Sequence, residues 1–295
     1  MNDKQKIAGL GEVLWDVYED KKYLGGAPAN FAAHVNQAGA YGIILSRVGN
    51  DAAGDQLIKE LVSLDFDVSG IQIDPQKPTG TVKVTLNEEG VPAFQCVQDV
   101  SYDYMEYNDI WDNIAIELDA VLFGTLAQRS TVSRKAIQRF LQKTTAIRVF
   151  DINLRGWSDH TEKIVLESLE LADMIKLNIG ELEKLKNLSG PRENNIEFLR
   201  QLIDDYQLKM AALTAGSEGC YLITKDENIY HPGFKVNAVD TTGAGDAFAA
   251  GMIVKYLSGA PLAEIADYGN RLGAFVSTQR GAIPEWSYSD IMSID

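Results

Sequence analysis

The stretch Val239–Gly251, VDTTGAGDAFAAG, combines residue types that are suited to chemistry. Three small residues, Gly243, Ala244 and Gly245, come before an apolar run that is typical of a helix. The first N–H groups of a helix have no partner within it and lie at the positive end of its dipole, so this turn is suited to binding an anion. Asp246 adds a carboxylate at the same place. The alternative is a tight strand-to-helix turn in which Asp246 only caps the helix.

A second group lies in Leu24–Val35, LGGAPANFAAHV. Paired Gly25 and Gly26 permit a turn and the close approach of a ligand to the backbone. The amide of Asn30 could hydrogen-bond a ligand that is rich in hydroxyl groups. Asp16 follows the first predicted strand, at the edge where open α/β sheets place their ligands. These residues predict a polar ligand site, and a purely structural turn is the alternative.

Two further sets of candidate residues follow later predicted strands. Asn178 and Glu181 lie three residues apart on one helical turn, a spacing that could hold hydrated Mg²⁺ or simply cap the helix. Thr214, Gly216 and Gly219 could admit a nucleotide against bare backbone, or could form a plain β-turn.

The segment FDINLRGW places Asp151, Asn153 and Arg155 at alternate positions at the end of a predicted strand. Alternate residues of a strand point to one face, so we expect all three on the same side. Arg155 is a candidate clamp for a transferring phosphoryl group. A surface ion pair is the alternative.

Short apolar β runs alternate with helical patterns through most of the chain, which predicts βαβ units, a mostly parallel sheet and an α/β fold. Strands are predicted in KIAGLGEVL, GIILSRVG, DAVLFGTL, IRVFDINL, DMIKLN and KMAALTAG. Helices are predicted in PANFAAHVNQAG, AAGDQLIKELVSL, TVSRKAIQRFLQKT, TEKIVLESLELA and IGELEKLKNL, and over residues 196–206.

The segment Ile71–Val97 departs from this alternation. Its alternating apolar residues run into the turn NEEG and a second β run, which predicts an antiparallel hairpin. With DVYEDKKYL it could form a small accessory sheet that acts as a lid or a dimer surface. We therefore expect one domain over residues 1–295, with lid segments at about 15–24 and 71–99.

Composition excludes several other classes of protein. The 295 residues carry a formal net charge of -15, which disfavours nucleic acid and anionic membrane as partners of the whole surface. Two cysteines outside any CxxC or Cys/His cluster argue against a disulfide scaffold and structural zinc. No signal peptide or membrane-length apolar run is present, so we expect a cytoplasmic protein. The chain also lacks GxxxxGK[ST] and a complete dinucleotide fingerprint, and its three histidines have no metal-binding spacing.

Taken together, the five groups of residues resemble the ribokinase-like carbohydrate kinase family. GGAPANFAAHV and DTTGAGDAFAAG carry most of the resemblance, which extends from the first strand to RGAIPEW near the C-terminus. It implies a three-layer α/β/α sandwich with a mostly parallel central sheet and a small β lid. It also implies ATP-dependent phosphorylation of a sugar hydroxyl, with Mg²⁺ as cofactor.

The resemblance assigns roles residue by residue. Asp246 is the base that accepts the hydroxyl proton, the N–H groups of Gly243, Ala244 and Gly245 form the anion hole, and Arg155 assists. The sugar-site positions are Asp16, Gly25, Gly26, Asn30, Gln128 and Asn153. The nucleotide and magnesium positions are Asn178, Glu181, Thr214, Gly216, Gly219 and Asn270. Many members bind a potassium-like ion, which here aligns with Asp240, Thr242, Val276, Gln279 and Gly281.

Within the family, APAN and DINLR resemble bacterial fructokinases most, so the expected reaction is phosphorylation of D-fructose at O6. Ribokinases more often carry lysine where this chain has Ala27. A 2-keto-3-deoxygluconate kinase remains an alternative because that group also resembles DINLR. So does a phosphofructokinase, if Arg129 and Arg155 bind a second phosphate. A non-catalytic sugar- or nucleotide-binding regulator is the alternative from another class.

Overall fold

The computed structural model describes residues 4–19, 21–86, 92–189 and 194–295. In these residues the strands are, in chain order, β1 (Lys6–Leu10), β2 (Leu14–Val17), β3 (Lys22–Gly25), β4 (Tyr41–Gly49), β5 (Ile71–Asp74), β6 (Thr81–Leu86), β7 (Pro92–Cys96), β8 (Ala120–Gly124), β9 (Ile147–Asp151), β10 (Met174–Asn178), β11 (Met210–Thr214), β12 (Cys220–Ile223) and β13 (Asn228–His231). The helices are α1 (Ala27–Gln37), α2 (Ala52–Ser63), α3 (Asp109–Ala115), α4 (Thr131–Lys143), α5 (Asp159–Leu169), α6 (Ile179–Ser189), α7 (Asn195–Tyr206), α8 (Ala244–Leu257), α9 (Leu262–Ser277) and α10 (Tyr288–Met292).

A large sheet organises the molecule, with strand order β13-β12-β11-β10-β9-β8-β1-β4-β5. The neighbours from β11 to β5 pair in parallel, whereas β12 and β13 extend the sheet antiparallel. Parallel pairing places the carboxyl ends of seven strands along one edge. The predicted mostly parallel α/β sheet is confirmed.

Helices cover both faces of the large sheet because its strands are apolar on both sides. One core joins β1 and β8 to the helices α3 to α7, through side chains such as Trp111, Phe140 and Leu199. The other joins the opposite sides of these strands to α1, α8 and α9, through Phe31, Met252 and others. These are the three layers that the sequence predicts. In the described ranges, no helix is both long and apolar enough to cross a membrane.

A small sheet with strand order β3-β2-β6-β7 lies apart from the large one. Its β2–β3 and β6–β7 pairs are antiparallel, and its central β2–β6 pair is parallel. The predicted hairpin turn at residues 87–90 lies outside the described residues.

Two predicted boundaries of this region are wrong. Ile71–Asp74 was predicted within the lid but pairs in parallel with β4, because α2 carries the chain back to the edge of the large sheet. The predicted single strand KIAGLGEVL is divided: β1 ends at Leu10, Gly11 has a φ of 151°, and β2 begins at Leu14 in the small sheet.

Candidate active site

A cavity of about 350 Å³ opens at the carboxyl edge of the parallel strands, beside the small sheet. It is the kind of polar, concave site that α/β sheets offer to ligands. Most of its lining is polar, and includes Glu12, Asp16, Asn30, Asn153, Arg155, Lys176, Asn178, Thr214, Gly243 and Asp246. The structure therefore brings together residues from all five sequence groups.

The first turn of α8 forms one wall of this cavity. Gly243 caps the helix in the left-handed conformation, with a φ of 78°, and a Cβ there would lie 2.6 Å from that of Ala282. The N–H group of Ala244 donates to the carbonyl of Thr241 at 3.3 Å. Within the described part of the chain, the N–H groups of Gly243 and Gly245 have no hydrogen-bond partner. Two of the three predicted anion-hole donors thus line the cavity with uncommitted N–H groups.

Asp246 lies on the same turn, with 8% of its surface exposed. The amide Nδ2 of Asn30 donates to Asp246 Oδ2 at 2.8 Å. Burial raises the pKa of Asp246 to about 6, although Lys176 acts to lower it. The other amide atom, Asn30 Oδ1, is buried with no partner in the described residues. A carboxylate therefore lies at the cavity wall, held by an amide whose oxygen is enclosed.

Lys176 is a candidate functional residue that the sequence analysis missed. Its Nζ lies 2.8 Å from Asp151 Oδ2, and both side chains are buried. Burial alone would lower the pKa of Lys176, but the Asp151 carboxylate beside it holds that pKa above its usual value. A Cβ on Gly245 would lie 2.8 Å from this Nζ, so the ammonium group lies against the first turn of α8. The one sequence feature that could have identified Lys176 is its position as a single charged residue inside the apolar strand MIKLN.

Glu12, also missed, and Asp16 add two buried carboxyl groups. Burial raises the pKa of each to about 7, and Arg155 acts in the opposite direction on both. The paired glycines have a packing role here. A Cβ on Gly25 would overlap the Asp16 carboxylate, and a Cβ on Gly26 would overlap the backbone of Glu12. The glycines therefore let these acidic residues lie at the cavity wall.

Asn178 and Glu181 form a reciprocal helix cap. The N–H group of Asn178 donates to Glu181 Oε2 at 2.8 Å, and that of Glu181 donates to Asn178 Oδ1 at 3.0 Å. Glu181 Oε1 accepts from the N–H group of Leu154 at 2.9 Å. The sequence allows two roles for this pair, a helix cap and Mg²⁺ binding, and the structure contains the cap. Since Asn178 lines the cavity, the magnesium role stays a prediction.

The predicted nucleotide residues are only partly brought together. Thr214 lines the cavity, whereas Gly216, Gly219 and Asn270 do not. Gly219 has a φ of 81°, and a Cβ there would overlap the carbonyl of His231, so a tight turn requires it. Asn270 donates to the carbonyl of Ala266 at 2.7 Å and to Cys220 Sγ at 3.1 Å.

Gln128 does not reach the cavity, contrary to prediction. It is buried in a short 3₁₀ turn, and its Nε2 donates to the carbonyl of Gly124 and to Ser168 Oγ, each at 2.9 Å. The neighbouring Arg129 lies elsewhere too. Its Nε lies 2.7 Å from Asp103 Oδ1, and its guanidinium packs over the ring of Tyr102.

The FDINLR segment follows a different path from the predicted strand. Strand β9 ends at Asp151, and Asn153 has a φ of 39°, so strand alternation does not continue to Arg155. Asn153 and Arg155 nevertheless line the main cavity, and Asp151 lines a smaller adjoining cavity of about 10 Å³.

The predicted cation residues lie in a loop and at the end of α9. Asp240 Oδ1 accepts from the N–H group of Thr242 at 2.9 Å, and its Oδ2 accepts from that of Gly281 at 3.1 Å. Val276 is buried, and its carbonyl accepts from the N–H group of Gln279 at 3.0 Å. Among the residues described, no cluster of three or more His, Cys, Asp or Glu is arranged to hold a metal ion. The cation remains a prediction that rests on backbone oxygens.

Comparison with known proteins agrees with this architecture. A family model described as pfkB family carbohydrate kinase matches residues 3–287. A sugar kinase of Pyrococcus horikoshii is 34% identical over 302 residues, covering 95% of this chain and 92% of that protein. Fructokinase of Escherichia coli is 30% identical over 296 residues, covering 94% of this chain and 95% of that enzyme.

Solved structures show the same fold. The Pyrococcus horikoshii sugar kinase in complex with ATP has a TM-score of 0.83 and 32% identity, with 94% of each chain covered. A fructokinase with bound ATP from Xylella fastidiosa has a TM-score of 0.86 and 21% identity, with 98% of each chain covered, which is a likeness of fold. Together with the family match over residues 3–287, these similarities show that the chain belongs to the pfkB family of carbohydrate kinases, phosphotransferases that act on sugars.

Proposed function

We propose that this chain transfers the γ-phosphoryl group of ATP to the O6 hydroxyl of D-fructose. The observation that carries the proposal is the meeting, at one cavity, of a buried carboxylate at Asp246 with uncommitted N–H groups at Gly243 and Gly245. ATP as donor is supported by the ATP complex of the Pyrococcus horikoshii relative. Fructose as acceptor is supported by similarity to the Escherichia coli fructokinase.

In this mechanism Asp246 accepts the proton of the attacking hydroxyl. Asn30 holds the carboxylate through Nδ2, which lies 2.8 Å from Asp246 Oδ2. A positioned base contributes about 10² to 10⁴ in rate. The amide therefore orients the base at the wall of the cavity that takes the sugar.

The charge that develops on the transferring group is met by the first turn of α8 and by Lys176. Each N–H donor of such a site contributes on the order of 10² to 10³ in rate. Lys176 Nζ lies beside Gly245 and is kept protonated by Asp151. Phosphoryl transfer depends mainly on positioning and charge stabilisation, so these groups suffice without a covalent intermediate.

Mg²⁺ neutralises charge on the nucleotide phosphates when it is bound. Asn178 and Glu181 would hold it through its waters, since Mg²⁺ usually keeps several of them. Each oxygen of the Glu181 carboxylate accepts one backbone N–H group and retains a lone pair for such a water. Of the two, Asn178 lines the cavity and would face those waters, with the buried Glu181 behind it.

The charges of the cavity bear on the acceptor. Glu12 and Asp16 disfavour an acceptor that carries a negative group, since like charges at short range repel. Arg129 is paired with Asp103, which weakens the case for fructose 6-phosphate. Arg155 lines the cavity, and its guanidinium could bind the carboxylate of 2-keto-3-deoxygluconate. That sugar acid is therefore the second candidate.

An ADP-release assay over D-fructose, D-ribose, 2-keto-3-deoxygluconate, fructose 6-phosphate and adenosine tests the proposal. We expect the highest kcat/KM with D-fructose and phosphate at O6 of the product, with Asp246→Asn as the background control. A higher kcat/KM for 2-keto-3-deoxygluconate would reassign the acceptor. If no ADP is released with any of these acceptors although sugar or ATP binds measurably, the non-catalytic regulator is favoured.

A further inference from the structure

An aromatic side chain spans from the small sheet to the loop that precedes α8. Tyr18, directly after β2, places its hydroxyl 3.2 Å from Asp240 Oδ2 and 3.3 Å from Thr242 Oγ1. The ring of Tyr18 contacts that of Tyr23 edge to face, with centroids 5.5 Å apart. These contacts join parts of the chain that are 222 residues apart.

Tyr23 makes a second contact, from the same part of the small sheet to the segment that follows α9. It lies in β3 opposite Asp16 in the strand register. A Cβ on Gly281 would lie 3.1 Å from the Tyr23 ring, so this ring packs against the Gly281 backbone. Strand β3 therefore contacts the segment after α9, and the N–H group of Gly281 in that segment donates to Asp240 in the loop before α8.

Asp240 is the acceptor on which these contacts converge. It is 2% exposed, and its two oxygens already accept the N–H groups of Thr242 and Gly281. The Tyr18 hydroxyl is the donor in its contact with Asp240, since the carboxylate oxygen accepts. Hydrogen bonds to a charged group are stronger than those between neutral groups.

We infer that Tyr18 is a positioning residue that couples strand β2, which carries the predicted sugar-site residue Asp16, to the anion-binding turn of α8. Tyr18 is two residues from Asp16, and its partner Thr242 directly precedes Gly243. A bound sugar that holds Asp16 in place thereby favours the arrangement of the turn that receives the phosphoryl group. This inference rests on the proposed function for the identity of the two ligands. By linkage, a nucleotide at the turn strengthens acceptor binding by the same factor.

Amide hydrogen exchange of the ligand-free protein tests the contact directly. Tyr18→Phe removes only the hydroxyl group, and Tyr41→Phe is the matched control because Tyr41 is exposed and lies outside the cavity. We expect exchange about tenfold faster in Tyr18→Phe, both over residues 14–25 and over residues 240–246, because one charge-assisted hydrogen bond is lost. The control should exchange as wild type. Unchanged exchange over 240–246 would overturn the inference, since it would make the hydroxyl a local contact of the small sheet.

Calorimetry tests the coupling between ligands. In wild type, D-fructose should tighten binding of a non-hydrolysable ATP analogue, whose γ-phosphate occupies the turn. Tyr18→Phe should reduce that factor at least fivefold while the analogue alone binds as before. A coupling factor within twofold of wild type would overturn the inference. The two proposals fail separately. A protein that shows the coupling but forms no fructose 6-phosphate would contradict the proposed function only, and the exchange experiment requires neither ligand.

Discussion

At the scale of single residues, Asp246 is subject to opposing influences. Burial raises its pKa, Lys176 lowers it, and the Asn30 amide binds and stabilises the ionised form. A base with a pKa near 6 is ionised at neutral pH and still has enough basicity to attract a hydroxyl proton.

The pH dependence of the reaction follows from this pKa. The base proposed at Asp246 acts only when ionised, so kcat/KM for the acceptor should fall as the pH decreases below about 6, by about tenfold per unit. Steady-state rates from pH 5 to 9 provide the measurement, with protein integrity confirmed by returning samples to pH 8. A flat profile between pH 5 and 8 would contradict the assigned base.

Single residues also show where sequence reasoning ends. Gly243, Gly245 and Asp246 were recognisable because their spacing is local and specific, and the structure places all three at the cavity. Lys176 was not, because its partner Asp151 lies on the neighbouring strand β9, 25 residues earlier. Gln128 was placed at the sugar site, but the turn after β8 directs its amide to Ser168.

At the scale of elements, the start of α8 depends on Gly243. Alanine there would meet Ala282 at 2.6 Å and would adopt a left-handed φ. Gly243→Ala should lower kcat at least 10²-fold, since a donor of the proposed anion hole moves. Steady-state kinetics with D-fructose and ATP provide the measurement.

Gly259, which follows the other end of the same helix, supplies the matched control. Its φ of 76° is nearly the same, but a Cβ there meets nothing within 4 Å. Gly259→Ala should therefore cost about 1 to 2 kcal/mol of stability from the left-handed backbone alone, with kcat unchanged. Equal losses of kcat in the two variants would show that backbone strain, rather than the anion-binding turn, explains the effect.

The elements themselves were predictable where apolar periodicity is long and regular. Helices such as α4 and strands such as β4 lie close to their predicted positions. Sheet membership was harder, because pairing partners are distant in sequence. Ile71–Asp74 reads as part of a hairpin but belongs to the large sheet, and the short antiparallel strands β12 and β13 have no strong pattern of their own.

At the scale of the whole molecule, the cavity gathers three buried carboxyl groups in a chain whose formal net charge is -15. Glu12 and Asp16 have pKa values raised to about 7 by burial, and that of Asp246 is raised to about 6. Between about pH 5 and 8 these three carboxyl groups bind more protons in the folded state than in the unfolded state. They outnumber His34, whose pKa burial lowers to about 4 and which acts in the opposite direction below about pH 6.5. The free energy of unfolding must then fall as the pH rises through this window.

Thermal unfolding of the ligand-free protein checks this expectation. We expect a higher Tm at pH 6 than at pH 8.5, and a smaller difference in Asp16→Asn, which cannot ionise at that position. A Tm that rises between pH 6 and pH 8.5 would contradict the raised pKa values of the cavity carboxyl groups, because it would mean that folding does not hinder their ionisation.

The central claim is that Asp246 takes the proton from a sugar hydroxyl while the first turn of α8 receives the phosphoryl group. Asp246→Asn tests it most directly, because the change keeps the shape of the side chain and removes the base. With D-fructose and ATP, kcat should fall by about 10² to 10⁴, while ATP affinity stays close to that of wild type. A kcat within a few-fold of wild type would contradict the account.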